Sequence, residues 1–177
     1  GPERSVAATK SYTASLRAAY QIARAMGADL PDPRGNLPTN EWVNQCQEVA
    51  QADLGAILRS TTLISLARGY SYCTALETSL KMMECALLPC KGYSTADFQH
   101  GPKALAGHGS AAIVFGDSPE DLTDYGCVGL YAPEAPDNAL TPIWDAMFAQ
   151  WLALLAARAR GLDPDHPRSL KKITQTL

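Results

Sequence analysis

Four stretches of the chain carry apolar residues at the spacing of a helix face. In the first, Leu16, Tyr20 and Ile22 recur at helical intervals, and Gly27 follows them as a C-cap glycine would. This pattern predicts a helix over residues 8–26, and a proline-rich loop follows it. Three further helices are predicted over residues 41–58, 73–88 and 139–160. The last of them is apolar on most faces, which indicates that it lies buried.

Three short apolar runs of strand length separate the predicted helices. They are the segments TTLISLARGY, SAAIVFG and CVGLY, which end near Arg68, Gly116 and Tyr131. Strands that alternate with helices favour a parallel α/β sheet, in which ligands bind at the carboxyl ends of the strands. We expect the segment 89–101 to be a loop that contains one helical turn.

The composition is typical of a cytosolic protein with a sizeable core. Of the 177 residues, 46% are apolar, which fits one domain of ordinary size. Eighteen acidic and fifteen basic residues leave a net charge of −3 without a basic block, so we expect neither nucleic acid nor a membrane as a partner. The chain shows no signal-peptide pattern and no apolar run of about 18 residues, and we expect it to be cytoplasmic.

The five cysteines give no sign of a disulfide framework or of a metal site. Their number is odd, and they form neither a CxxC pair nor a pattern with nearby histidines. We therefore expect reduced thiols in the core.

The predicted helix over residues 73–88 carries its charges on one narrow stripe. At about 100° per residue, Glu77, Lys81 and Glu84 fall at about 0°, 40° and −20°. A second stripe, about 90° away, is apolar and consists of Leu76, Leu80, Met83 and Leu87. We expect most of this helix to be buried, and a lysine beside two carboxylates can tune the pKa of a general base. The alternative is an ordinary i,i+4 ion pair on a solvated face.

Three separated segments resemble one family of sugar enzymes. The longest, ARGYSYCTALETSLKMMECALLPCKGYSTADFQHGPKAL, resembles the isomerase domain of glutamine-fructose-6-phosphate aminotransferase without gaps. PERSVAATKSYTASL and LDPDHPRSLKKITQTL resemble a helix start and the C-terminal tail of the same family. The ADFQHGP box is more similar to the stand-alone aminosugar deaminases and ketose-aldose isomerases. On these motifs the chain is identified as a member of the sugar isomerase (SIS) domain family.

The resemblance implies a catalytic role for five residues. Glu84 matches the carboxylate that moves a proton between C1 and C2 of the sugar, and Lys81 and Glu77 match its neighbours on the catalytic helix. His100 matches the histidine that opens the sugar ring from the adjacent subunit, which implies a homodimer with shared active sites. Lys172 matches the lysine that forms a Schiff base with the keto sugar.

Three further residues are expected to contact the substrate. Val6 and Ala8 match the turn before the first helix, where Ala8 replaces the serine usual in the aminotransferases, and Lys171 precedes the Schiff-base lysine. Without the resemblance, Lys171 and Lys172 would form a solvated terminal pair. His100 would then be a loop histidine that bonds to backbone groups.

The resemblance also implies how the chain is organised. We expect an SIS-type, flavodoxin-like three-layer fold that is helix-rich and incomplete, because the family's phosphate-binding loop does not precede Gly1. Residues 1–58 are expected to link from a missing first SIS half, and residues 59–160 to form a shortened second SIS domain. Residues 161–177 are expected to be a tail that closes over the active site.

The implied function is the interconversion of ketose and aldose forms of a hexose 6-phosphate. One example is the conversion of glucosamine-6-phosphate to fructose-6-phosphate with release of ammonia. The resemblance implies that this chemistry needs no metal ion and no organic cofactor. The alternatives are the isomerase part of glutamine-fructose-6-phosphate aminotransferase, a non-catalytic module that binds a sugar phosphate, and an inactive structural fragment. The retained residues of the catalytic pattern favour an enzyme, because a sensor has no need of a proton shuttle.

Overall fold

Helices and strands alternate along most of the computed structural model, which describes residues 2–119, 122–168 and 170–172. The helices are α1 (Lys10–Ala25), α2 (Asn40–Arg59), α3 (Tyr72–Ala86), α4 (Thr95–Phe98) and α5 (Thr141–Ala159). The strands are β1 (Thr62–Ala67), β2 (Cys90–Ser94), β3 (Ser110–Val114) and β4 (Val128–Tyr131). Short 3-10 turns occupy Gly69–Ser71, Pro102–Leu105 and Thr123–Tyr125.

The strands form one parallel sheet in the order β2-β1-β3-β4. Leu63 of β1 lies beside Cys90 of β2, and Thr62 lies beside Ser110 of β3. β1 and β3 are therefore the central strands, and nearly all of their residues are buried. The α/β class and the parallel sheet expected from the sequence are confirmed.

The strand β2 shows that the expectation of a loop over residues 89–101 is wrong. In β2 the residues Cys90 and Gly92 are buried, whereas Lys91 is exposed. The mixed composition of this strand hides it from a search for apolar runs, because it lies at an edge of the sheet and pairs with β1 alone. The helical turn expected in the same segment is α4, and the Ser94 side chain caps it by accepting a hydrogen bond from Asp97 N.

Long helices cover one face of the sheet, and short segments cover the other. The first face packs against α2, α3 and α5, in a core that includes Leu63, Ile113 and Phe148. The opposite face packs Leu66 against Phe98 of α4. α5 is buried on most sides between α2 and α3, as its apolar sequence predicts. Across the described residues, none of the helices is long and apolar enough to cross a membrane.

α3 packs on the sheet through its small residues. Ala75, Ser79, Met82 and Ala86 are all buried, as expected for the face opposite the charges. Gly92 of β2 lies so close to the helix that a Cβ atom there would come within 2.9 Å of the Ala75 carbonyl oxygen. This close approach fixes the rotation of α3, and with it the direction of the charged side chains.

The second stripe of α3 is exposed, and the expectation that most of the helix is buried is wrong in this part. We call it the apolar stripe, and it consists of Leu76, Leu80, Met83 and Leu87, which are each between 40% and 45% exposed. The physical reason is the packing just described. Because the small residues face the sheet, the large side chains of the apolar stripe point away from it.

Candidate active site

The three charged residues of α3 form one cluster inside the protein. Lys81 Nζ donates a hydrogen bond to Glu84 Oε2 at 2.8 Å and lies 3.3 Å from Glu77 Oε1. The Lys81 side chain is only 3% exposed, Glu77 is 12% exposed and Glu84 is 23% exposed. The alternative of an ion pair on a solvated face is therefore wrong, and the shared stripe expected from helical geometry is present.

Burial and charge act against each other in this cluster. Burial raises the pKa of Glu77, and the Lys81 ammonium offsets part of that rise. Burial alone would lower the pKa of Lys81, but the hydrogen bond to Glu84 and the charges of both carboxylates outweigh it and raise that pKa. Lys81 therefore stays protonated while it is almost completely removed from water.

A cavity of about 480 Å³ adjoins the cluster, and Lys81 and Cys85 form part of its wall. Its other walls are α5, the segment before α1, and the segment after α5. The polar lining residues are Ser5 and Thr9 before α1, Gln150 and Arg158 on α5, and Asp165. Glu84 lines a second, smaller cavity of about 160 Å³, together with residues of the segment after α5. The ammonium of Lys81 thus faces a space of the size that a small polar ligand requires.

Glu3 holds the segment before α1 in place. Its Oε2 accepts hydrogen bonds from Thr9 N at 3.0 Å, Ser11 N at 2.9 Å and Ser11 Oγ at 3.0 Å. The Thr9 side chain itself makes no capping hydrogen bond, so Glu3 acts in its place as the acceptor for backbone N–H groups at the start of α1. The hydrogen bond from Ser11 N is the largest of several that lower the pKa of Glu3 to about 2. Ser5, Ala7 and Thr9 of the fastened segment line the cavity.

Lys172 lies beside the same segment. Its Nζ donates a hydrogen bond of 2.6 Å to the carbonyl oxygen of Ser5, which lines the cavity. The first part of the tail therefore returns to the N-terminal wall of the cavity, across nearly the whole length of the sequence. Ser169 and residues 173–177, which belong to the expected closing tail, lie outside the described residues.

Of the eight expected site residues, only Lys81 belongs to the lining of the cavity of about 480 Å³. Val6 and Ala8 are half-buried neighbours of lining residues, and Lys171 is exposed. His100 is exposed just after α4, where its backbone N donates to Asp97 O at 3.1 Å. Within one chain the structure thus groups Glu77, Lys81 and Glu84, with Lys172 nearby, and leaves His100 apart from them.

Two polar residues near the cluster escaped the sequence interpretation. Gln150 lines the cavity beside Lys81, and its Nε2 is buried without a hydrogen-bond partner. The sequence does distinguish Gln150, because it is the only amide or charged side chain between Asp145 and Arg158 of this apolar helix. The Tyr12 hydroxyl is also buried, close to Cys73 and Glu77, and burial raises its pKa. No sequence pattern distinguishes this tyrosine.

Comparison with known proteins identifies the same relatives as the motifs. The family model described as SIS domain matches residues 56–125, which run from the end of α2 past β3. The glutamine–fructose-6-phosphate aminotransferase [isomerizing] of Methanothermobacter thermautotrophicus is 28% identical over 204 residues, which cover 97% of this chain and 34% of the relative. The corresponding protein of Streptococcus pneumoniae is 28% identical over 211 residues, with the same coverage. The chain spans about a third of the length of these relatives.

Solved structures share the fold. A glucosamine-6-phosphate deaminase from Thermotoga maritima superposes with a TM-score of 0.82 at 23% identity, over 97% of this chain and 58% of that chain. The C-terminal domain of glucosamine-fructose-6-phosphate aminotransferase from Francisella tularensis gives a TM-score of 0.60 at 19% identity, over 71% and 43% of the two chains. Residues 56–125 thus match the SIS domain, and the related sequences and the common fold are similar to proteins of the same kind.

Proposed function

We propose that this chain catalyses the interconversion of ketose and aldose forms of a hexose 6-phosphate, including the conversion of glucosamine-6-phosphate to fructose-6-phosphate with release of ammonia. The observation that carries the proposal is the buried cluster of α3, whose Lys81 faces a cavity that Lys172 approaches. The names of the relatives support the substrate class, since they concern fructose-6-phosphate and glucosamine-6-phosphate.

Glu84 is proposed as the base that moves the proton. Its carboxylate removes a proton from the carbon beside the carbonyl or imine, and the electron pair of that C–H bond forms the C1–C2 double bond. The former π pair moves onto oxygen, which gives an enediolate, or onto the imine nitrogen, which gives an enolamine. The proton then returns to the neighbouring carbon. Lys81 places an ammonium beside the oxygens on which negative charge develops, and Glu77 helps to keep that ammonium protonated inside the protein.

Lys172 and His100 are proposed to handle the open-chain sugar. His100, acting from the adjacent subunit, opens the sugar ring, and Lys172 forms an imine with the C2 carbonyl as water leaves. In the deaminating direction, proton transfer converts the 2-amino aldose into a C2 imine. Water then hydrolyses this imine to the ketone and ammonia. The tail that begins at residue 161 is proposed to close over the cavity and to deliver Lys172.

A second candidate is the isomerase part of a glutamine-dependent aminotransferase. The observation that favours it is the coverage of the relatives, because nearly the whole chain matches a third of each aminotransferase. The two candidates use the same proton transfer and differ in the source or fate of ammonia. Ammonia release from glucosamine-6-phosphate favours the deaminase, and a requirement for glutamine favours the aminotransferase.

The substitution Glu84→Gln tests the proposed base. We expect the turnover to fall by a factor on the order of 10² to 10⁴ while substrate binding is retained, because the amide cannot accept the proton. Incorporation of solvent deuterium at C1 or C2 of fructose-6-phosphate measures the proton transfer directly. Glu48→Gln, at an exposed position of α2, is the matched control and should exchange at the parental rate. Unchanged exchange in Glu84→Gln would remove Glu84 from this role, and binding without exchange in the parent protein would favour a non-catalytic module.

A further inference from the structure

A third cavity, of about 520 Å³, lies at the carboxyl edge of the sheet. Arg68 follows β1 into it, Asp117 follows β3, and Glu134 follows β4. It shares no lining residue with the cavity beside Lys81. Its volume is within the range of sites that hold small organic ligands.

The position of this cavity within the sheet is one where ligands commonly bind. From β1 the chain passes to β2 on one side, and it then returns to form β3 on the other side of β1. The connections that leave β1 and β3 therefore diverge and open a crevice between the carboxyl ends of these strands. In open parallel α/β sheets, this switch in strand order marks the ligand site.

Asp145 lies at the bottom of the cavity with an unused acceptor. It belongs to the second turn of α5, is 3% exposed, and its Oδ2 is buried without a hydrogen-bond partner. Burial raises the pKa of Asp145 to about 6, and the nearby Ser71 hydroxyl lowers it in part. At neutral pH this residue is thus a buried carboxylate, and its Oδ2 accepts no hydrogen bond from the protein. A buried acceptor without a partner destabilises the folded state unless a ligand supplies the donor.

The charges around Asp145 indicate that the group that supplies the missing hydrogen bond is positively charged. Three exposed carboxylates, from Asp117, Glu134 and Asp137, line the same cavity, and Arg68 is the only basic residue among the described residues of its lining. A cavity with this excess of one sign concentrates ligands of the opposite sign. Among the described residues no three His, Cys, Asp or Glu side chains converge closely enough to hold a metal ion. The arrangement thus suits an organic cation.

We propose that the cavity at the carboxyl edge of the sheet binds a small primary amine, whose ammonium donates to Asp145 Oδ2 while the carboxylates at the rim attract its charge. An ammonium group supplies up to three donors, and the buried oxygen needs one. This site goes beyond the proposed isomerase function, because it uses none of the residues of the α3 cluster.

Calorimetric titration with putrescine, a linear diamine, tests the proposal at about pH 7.5, where Asp145 is ionised. We expect saturable binding of putrescine and no binding of the diol of the same chain length, which lacks the charge. Asp145→Asn should weaken putrescine binding at least tenfold. Asp29→Asn, an exposed position between α1 and α2, is the matched control and should bind as the parent does.

A rim variant keeps the test decisive if Asp145→Asn does not fold. Asp117→Asn combined with Glu134→Gln changes two exposed side chains and should weaken binding several-fold. Glu84→Gln should bind putrescine normally, so a failure of the isomerase proposal leaves this result unaffected. Equal binding of the diol, unchanged binding in either pocket variant, or binding of inorganic phosphate in place of putrescine would each overturn the proposal. The last outcome would mean that Arg68 and the nearby helix N-termini set the sign of the site.

Discussion

Lys81 carries a full charge at a position where water is almost absent. The carboxylates of Glu77 and Glu84 make this burial tolerable, but together they leave one negative charge in excess inside the protein. Breaking such a cluster is strongly destabilising, whereas well-packed apolar residues often replace one at no loss of stability. The cluster is therefore weak as a device for stability, which is consistent with its proposed role in proton transfer.

At the scale of single residues, the proposed imine of Lys172 can be tested by chemical reduction. If it forms an imine with fructose-6-phosphate, borohydride will reduce that imine to a stable amine, and peptide mass analysis should find the sugar on Lys172. The variant Lys172→Arg should lose the label, because a guanidinium does not form the imine. Lys171→Arg changes the neighbouring lysine and should keep the label. Label on another lysine, or on none, would argue against the assigned role.

The residues of the site differ in how far the sequence could predict them. Glu77, Lys81 and Glu84 could be grouped because helical geometry alone decides which side chains share a face. The contact of Lys172 with Ser5 joins the two ends of the chain, and no local pattern contains that information. Glu3 could not be assigned from its sequence position either, since its role depends on how the segment before α1 folds back.

At the scale of elements, the first turn of α1 depends on a carboxylate outside the helix. Glu3→Gln should lower the free energy of unfolding by about 1 kcal/mol at neutral pH, because the charged acceptor of the Thr9 and Ser11 amides is lost. The pKa of Glu3 is about 2 when folded and higher when unfolded, so its contribution is complete above about pH 4.5. It is lost as the pH falls toward 2.

Urea unfolding at neutral pH and at about pH 3 measures this effect. The difference between Glu3→Gln and the parent protein should shrink at the lower pH, because Glu3 of the unfolded parent chain then binds a proton that the folded state does not bind. Glu48→Gln, on the exposed side of α2, should show little difference at either pH. A Glu3→Gln difference that is the same at both pH values would show that the charge of Glu3 does not act on α1.

The elements that could be predicted are those whose burial is visible in the sequence. β1 and β3 are central strands that are buried at nearly every position and therefore rich in apolar residues. The edge strand β2 is held by its pairing with β1, which a local pattern cannot record. The rotation of α3 depends on the close approach of Gly92, so the apolar stripe could not be distinguished beforehand from a buried face.

At the scale of the whole molecule, the shared-site hypothesis predicts that two inactive variants restore activity. When His100→Ala and Glu84→Gln subunits are mixed and allowed to exchange, a statistical mixture of dimers should recover about a quarter of the parental activity. Each mixed dimer then contains one intact site. Mixing Glu84→Gln with Lys81→Met is the matched control and should recover nothing, because both residues lie on the same α3. Failure of the first mixture, with exchange confirmed, would contradict a site built from two subunits.

The apolar stripe also determines how the chain behaves at high concentration. The four large side chains of the apolar stripe, three on α3 and Leu87 just after it, are partly exposed to water. Contiguous apolar surface of this kind promotes self-association. The net charge of −3 supplies only weak repulsion against it. The apolar stripe is thus one of the exposed apolar surfaces through which copies of the protein can associate. Salts that strengthen apolar association should therefore favour self-association through the apolar stripe, and additives that cover it should oppose this association.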